Sequence, residues 1–297
     1  MEELLQYLFS GITNGAIYAV IALGFTVLYS ATDLINFAQG EFVMLGALFM
    51  VTLWGGSPSP LPFGLPLPVA FLVTVVLVAL VGVLFERLAI RTVKRPEPIL
   101  LVLITVGASI FLRGVGMLLW GKDSYGLPPF SGGEPIFLAG AVLLPQSLWI
   151  LGIVVGLVIL FHLFYTRTLT GKAMQAVAIN KKAASMLGIP GERMTLLAFA
   201  ISGALGAVAG AIIAPVTMSA HDMGTMLGLK GFCAAMLGGL GNAWGAILGG
   251  FLLGTMESLG VGYISSSLKD AIAFLLLLLI LYVRPAGILG ARSSHRF

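Results

Sequence analysis

Few side chains in this 297-residue sequence have acid, base or metal-binding chemistry, and those few are scattered. The three histidines, His162, His221 and His295, lie in three separate segments, so no pair has the spacing at which one helix face holds a metal. Cys233 is the single cysteine, which excludes an internal disulfide and a thiolate metal site. Asp33, Glu41 and Glu257 are the carboxylates in or beside long apolar runs, too few to form a relay of proton carriers. A phosphate-binding loop fails twice around Gly171-Lys172, because Thr166 stands at its earlier glycine and Ala173 at its Ser/Thr. Two small polar groups remain: Asn36, Gln39 and Glu41 follow one helix break, and Lys230 and Asn242 bracket a short apolar segment. An ionisable group inside a membrane marks a path by default. For Glu41 the competing explanation is structural, a first-turn carboxylate set against the positive end of a helix.

The elements that carry these residues must be membrane spans. Hydrophobic residues make up 59% of the chain and charged residues 9%, against about 25% charged in a soluble domain. So small a charged set cannot cover a water-facing surface, which excludes a secreted domain, a cytosolic enzyme and a disordered chain. The net charge of +4 belongs to helix orientation rather than to nucleic acid, which is not expected as a partner. The acidic start, Met1-Glu2-Glu3, has no basic leader and runs into the first span.

Reading each apolar run as a helix gives spans at 4–29, 36–54, 67–90, 99–120, 147–165, 195–218, 229–240, 243–262 and 268–283. The expected fold is therefore an all-α polytopic membrane protein of eight or nine crossings, two of them short or broken. Basic residues gather at Arg87–Arg95, at Arg167–Arg193 and in the tail from Arg284, so those segments should be cytoplasmic. The count then places the N-terminus and 121–146 outside and the C-terminus inside. Arg113 is a cation within a span, near enough its outer end to snorkel. Glycines four apart recur at Gly11/Gly15, Gly152/Gly156, Gly206/Gly210 and Gly241/Gly245/Gly249, a spacing that lets helices approach closely.

Tyr-Ser-Ala-Thr-Asp-Leu at 29–34 is echoed by Met-Ser-Ala-His-Asp-Met at 218–223, and each leads through glycine to Phe and a short apolar helix. The two copies fall on opposite faces in the topology above. A first half-repeat at 1–120 and an inverted second at 195–297 are thus expected, joined by the external loop 121–146, the linking helix 147–165 and a cytoplasmic segment 166–194 within one domain.

That cytoplasmic segment is the most informative polar stretch. Thr170 is placed to cap a short helix 171–179, Asn180 to cap a second at 181–187, and Gly188 before Pro190 to stop it. A solvated basic loop would need none of its apolar residues. Met174, Val177, Ala184, Met186, Leu187 and Ile189 instead describe an amphipathic knob fit for a partner's groove.

At this level of detail the sequence resembles a family. Lys182-Ala-Ala-Ser-Met-Leu-Gly188 keeps the Ala-Ala-x-x-x-Gly core of the coupling loop of ABC importer permeases, although Lys182 replaces a frequent Glu and the downstream Ile-x-Leu-Pro is missing. The stretches 14–26, 34–42, 171–178 and 231–250 together resemble, in matching order, permeases of bacterial branched-chain amino acid ABC transporters, the shorter kind without an attached ATPase. The resemblance spans roughly 11–290 and implies a multi-pass subunit of the bacterial inner membrane, not an enzyme, with no cofactor of its own because ATP binds partner subunits. It implies a related second permease, two ATPase subunits, and a periplasmic or lipoprotein binding protein for which Tyr125, Phe130 and Phe137 offer contacts. It puts the ATPase contact on Gly171, Lys172, Met174, Val177, Ala183, Ala184, Leu187 and Gly188. Joined with the helix breaks, it suggests a path along Asn36, Gln39, Gly40, Glu41, Lys230, Gly231, Ala234, Ala235, Gly238 and Asn242. Leucine, isoleucine and valine are the implied cargo. Other neutral amino acids, urea or amides stay open, as does a self-sufficient secondary transporter.

Overall fold

The structure is a computed structural model that describes residues 2–55, 64–93, 97–138 and 140–290. Eleven helices follow in order: α1 (Glu2–Thr32), α2 (Gln39–Trp54), α3 (Leu67–Phe85, extended by a π-turn at Glu86–Ile90), α4 (Pro98–Trp120), α5 (Pro145–Arg167), α6 (Leu169–Ile179), α7 (Lys181–Met186), α8 (Gly191–Ile213), α9 (Met223–Gly238), α10 (Ala243–Tyr263) and α11 (Lys269–Val283). Prolines at the first or second helical position start α3, α4 and α5, where a missing N–H costs nothing. Gly55, at φ 93°, closes α2 in the left-handed conformation glycine tolerates. A small antiparallel hairpin of β1 (Ile136–Leu138) and β2 (Ala141–Leu143) is an addition that the apolar runs did not announce.

Among the described residues seven helices are long and apolar enough to cross a bilayer: α1, α3 with its π-turn, α4, α5, α8, α10, and α11 with the turn before it. Helices α2 and α9 have 16 residues each. At 1.5 Å per residue that is about 24 Å, short of a hydrocarbon core of about 30 Å. Several boundaries differ from the sequence reading: α1 runs Glu2–Thr32 rather than 4–29, and α8 runs Gly191–Ile213 rather than 195–218. Helix α2 begins at Gln39 rather than Asn36, and α9 begins at Met223 rather than 229, because the glycine-rich stretch read as a connector is helical.

The layers follow burial. Helices α1, α2 and α8 form the centre, while α3, α4, α5 and α11 ring them and turn large apolar side chains such as Leu72, Phe111, Leu160 and Leu278 outward. Glycine sets the inner spacing. Gly11 and Gly15 of α1 lie against Gly254 and Gly250 of the antiparallel α10, so closely that a Cβ on Gly254 would stand 2.3 Å from the Gly15 nitrogen. Gly206 and Gly210 of α8 receive α2 in the same way, and Gly245 and Gly249 receive α9. The fourth expected set differs: nothing lies within 4 Å of a Cβ built on Gly152 or Gly156.

Each end of the bundle is tied across its loops. At one end Tyr125 and Ser219 exchange backbone bonds of 2.9 and 2.8 Å, and the Gln6 side chain both accepts from Val142 N (2.7 Å) and donates to its carbonyl (3.2 Å). At the other, Arg91 pairs with Glu192 at 2.7 Å and Asn242 donates to the Leu289 carbonyl at 2.9 Å. This second end also carries α6 and α7, and hence most of the described basic residues outside spans.

Candidate translocation and coupling sites

The break between α1 and α2 is built from side chains that replace the lost helical bonds. Thr32 Oγ1 donates to the Leu28 carbonyl and accepts from Leu34 N, Asp33 turns at φ 54°, and Asn36 Oδ1 accepts from Ala38 N at 3.0 Å. Gln39 then enters the core fully buried, with Nε2 donating to the Ser202 carbonyl at 3.1 Å and Oε1 accepting from the Ser202 hydroxyl. Within the first turn of α2, Glu41 accepts from Ser109 Oγ at 2.9 Å and lies 3.7 Å from the Arg113 guanidinium. The cation expected to snorkel is paired inside the span instead.

Helix α9 passes α2 in the opposite direction and touches it through backbone. A Cβ on Gly40 would stand 2.1 Å from the Gly224 carbonyl oxygen and 2.9 Å from Gly228 Cα. The crossing therefore joins the N-terminal halves of the two short helices, at Gly40 and Glu41 of α2 and at Gly224 and Gly228 of α9. Further along α9, Lys230 is held at 3.0 Å by Glu257 of α10 and at 2.7 Å by Asp270 of α11, while Lys269 approaches Glu257 at 3.4 Å. The Tyr18 hydroxyl donates to the same Glu257 oxygen at 3.2 Å. Two cations and two anions thus neutralise one another around a carboxylate that is 1% exposed.

The ten residues expected along a path separate into two kinds. Asn36, Gln39, Glu41 and Lys230 carry the polar network above, and Asn242 caps α10 by accepting from Gly245 N at 3.1 Å. Gly40, Gly231, Ala234, Ala235 and Gly238 face other helices of the same chain: Gly231 meets Ile21, Ala234 meets Gly249 and Gly238 meets Gly245. Ala235 is fully buried. Ser109, Arg113, Ser202, Tyr18 and Asp270 complete the networks and were not singled out as site residues from the sequence. Only Arg113 carried a signal, as a cation inside an apolar run.

The knob forms largely as its sequence suggests. Thr168, not Thr170, caps α6 by accepting from Gly171 N at 3.0 Å, so the helix starts at Leu169. Asn180 caps α7 by accepting from Ala183 N at 3.0 Å, and Gly188 stops it at φ 81°. The apolar residues divide by direction. Met174, Val177 and Ala184 turn inward and are nearly buried, and Gly171 lets α6 lie against Phe164 and Tyr165. Ile179, Met186 and Leu187 are 74 to 86% exposed, with Lys172, Lys182 and Ala183 exposed around them. Ile179 and Met186 were not among the contacts expected from the resemblance, because a linear pattern does not say which side of a two-helix knob is already covered.

With this geometry in hand, residues 7–281 match the family described as the branched-chain amino acid transport system / permease component. The chain belongs to that family. It is 35% identical to the high-affinity branched-chain amino acid transport system permease protein LivH of Salmonella typhimurium, over 96% of this chain and 95% of that one. It is 34% identical, at the same coverage, to the corresponding protein BraD of Pseudomonas aeruginosa. The permease is also 30% identical to the autoinducer 2 import system permease protein LsrC of Escherichia coli, over 91% of this chain and 76% of that one. No solved structure matches it. Family membership and the long apolar helices make this a multi-pass helical transport protein of the inner membrane rather than an enzyme.

Proposed function

We propose that this permease is the membrane subunit of an ABC importer, that it forms the route for leucine, isoleucine and valine, and that separate ATPases drive it. The observation that carries the proposal is the knob: two short capped helices whose inner face is anchored in the bundle and whose outer apolar face, Ile179, Met186 and Leu187, is exposed. An anchored element with a bare apolar tip transmits a push, which is what a chain without a nucleotide site needs. Gly171, Met174, Val177 and Ala184 fix the lever, and Lys172, Ala183, Leu187 and Gly188 belong to the part offered to the ATPase.

The same proposal assigns eight or nine crossings, an external N-terminus and a cytoplasmic C-terminus, since the basic residues share the end that carries the knob. The halves 1–120 and 195–297 are read as inverted repeats, supported by α2 and α9 crossing through corresponding N-terminal halves. The path runs beside that crossing. Asn36, Gln39, Glu41, Lys230 and Asn242 supply its polar groups, while Gly40, Gly231, Ala234, Ala235 and Gly238 give its wall the close helix spacing. A related second permease, two ATPases and a periplasmic or lipoprotein binding protein complete the assembly. The LsrC likeness supports a second reading in which the cargo is another small neutral molecule.

The test is uptake of labelled leucine by cells that express the permease with its neighbouring transport genes. Met186→Asp with Leu187→Asp should abolish uptake and ATPase co-purification at an unchanged permease level. Full uptake in that variant removes the coupling role. Competition by valine and isoleucine, but not by urea or an amide, is the expected cargo pattern.

A further inference from the structure

A cavity of about 700 Å³ opens at the knob end, between the last turns of α1 and α5, the side of α6 and the turn from α9 to α10. It shares only Asn242 with the path proposed above. Its wall combines an apolar body, including Leu23, Phe161 and Met174, with Thr26, His162 and Trp244. None of the residues described around it is Asp, Glu, Lys or Arg.

Two observations say what the cavity is for. Thr26 is 2% exposed and its hydroxyl has no partner among the described residues, although a threonine in a helix ordinarily bonds to the carbonyl one turn back. An unpaired buried hydroxyl costs about 1–3 kcal/mol, so the site gains from a ligand that supplies the bond. The helix ends around it give the second clue. The first turn of α10 enters with Ala243 and Trp244, Asn242 having taken the Gly245 amide, and offers a positive pole. The last turns of α1 and α5 enter with their C-terminal, negative ends. A lining without Asp, Glu, Lys or Arg disfavours a ligand of one sign, and a purely apolar ligand leaves both Thr26 and the poles unsatisfied.

We propose that this cavity binds a zwitterionic neutral amino acid with an aliphatic side chain from the knob side, and that its occupancy wedges α6 against α10. The carboxylate lies at the first turn of α10, the ammonium toward the ends of α1 and α5, and the side chain against the half-buried Val158, Phe161 and Ile247. Met174 and Gln175 of α6 form one wall, so a filled cavity resists the movement of the knob. Accumulated cargo then slows its own import. The ligand class rests on the cargo reading above, whereas the site does not.

Trp244 serves as a native reporter. The full chain in lipid nanodiscs is titrated with L-leucine while tryptophan emission is followed. A saturable change should appear, vanish in Trp244→Phe, and shift about tenfold to higher concentration in Thr26→Val, the scale of one hydrogen bond. Thr26→Val keeps size and shape, and an unchanged thermal unfolding profile shows that the fold is intact. 4-Methylpentan-1-ol, an aliphatic body without the zwitterion, should bind at least tenfold more weakly. The proposal is overturned by an unsaturable response, by equal titrations in Thr26→Val and the parent, or by an alcohol as effective as leucine, which would make the cavity a slot for lipid chains. Leucine uptake without a cavity response sinks this site and leaves the cargo reading; a response without leucine uptake sinks the cargo reading and leaves the site.

Discussion

Lys230 shows how a membrane protein keeps an ammonium out of water: two carboxylates from different helices lie within 3.0 Å, and Tyr18 and Lys269 share the load on Glu257. Removing one partner of such a group leaves the other buried and unpaired, which costs more than the pair contributes. Glu257→Leu should therefore destabilise the permease by about 3 kcal/mol, and adding Lys230→Met should restore most of that loss. Denaturant unfolding in detergent micelles measures both; a double variant as weak as the sum of the singles would show that the cluster is not a compensated pair. Half of this arrangement was legible. Lys230, Glu41 and Gln39 stand out as polar residues in apolar runs, but Asp270, Ser109 and Ser202 look ordinary until α11, α4 and α8 carry each to its own partner.

At the scale of elements, glycine decides where helices touch. A Cβ on Gly210 would stand 2.0 Å from the Val43 carbonyl oxygen, whereas one on Gly152 meets nothing within 4 Å. Gly210→Ala should lower stability by about 1–3 kcal/mol through overpacking, and Gly152→Ala should change it by under about 0.5 kcal/mol, both read from thermal unfolding. Equal effects would mean that spacing alone, not contact, governs these pairs. The sequence ranked the two sites alike because a four-residue spacing says that a face is small, not which neighbour fills it. The same limit hid the start of α9, whose glycines read as a connector until Gly40 is seen resting on Gly224 and Gly228. Gly188 poses a different case, with open space but φ 81°. Gly188→Val should strain that turn by about 1 kcal/mol and abolish uptake while the permease still reaches the membrane; full uptake would separate the knob from coupling.

For the whole molecule the prediction is topological. Ser124 and Ser185 are exposed at opposite ends of the bundle, and Cys233 is 1% exposed. In a Cys233→Ala background, Ser124→Cys should react with an impermeant maleimide added to intact cells, and Ser185→Cys should react only after the membrane is opened. External labelling of Ser185→Cys would invert the orientation. That the chain is a series of apolar, membrane-length helices was readable from apolar length alone, since a bilayer leaves the backbone little choice. Their ranking was not: hydropathy cannot tell α1, almost wholly covered by its neighbours, from α11, which is almost wholly bare.

The pairing of α1 with α10 also dictates an order of events during synthesis. Tyr18 and Glu257, which meet across that seam, are 239 residues apart. At roughly 5–20 residues per second the first helix leaves the ribosome about ten to fifty seconds before its partner exists. Throughout that interval its glycine face has no native cover. The nascent chain must hold it in lipid, or against the insertion machinery, as a vacant half of a joint, and α10 closes that joint by entering between elements already in place, with α11 still to follow.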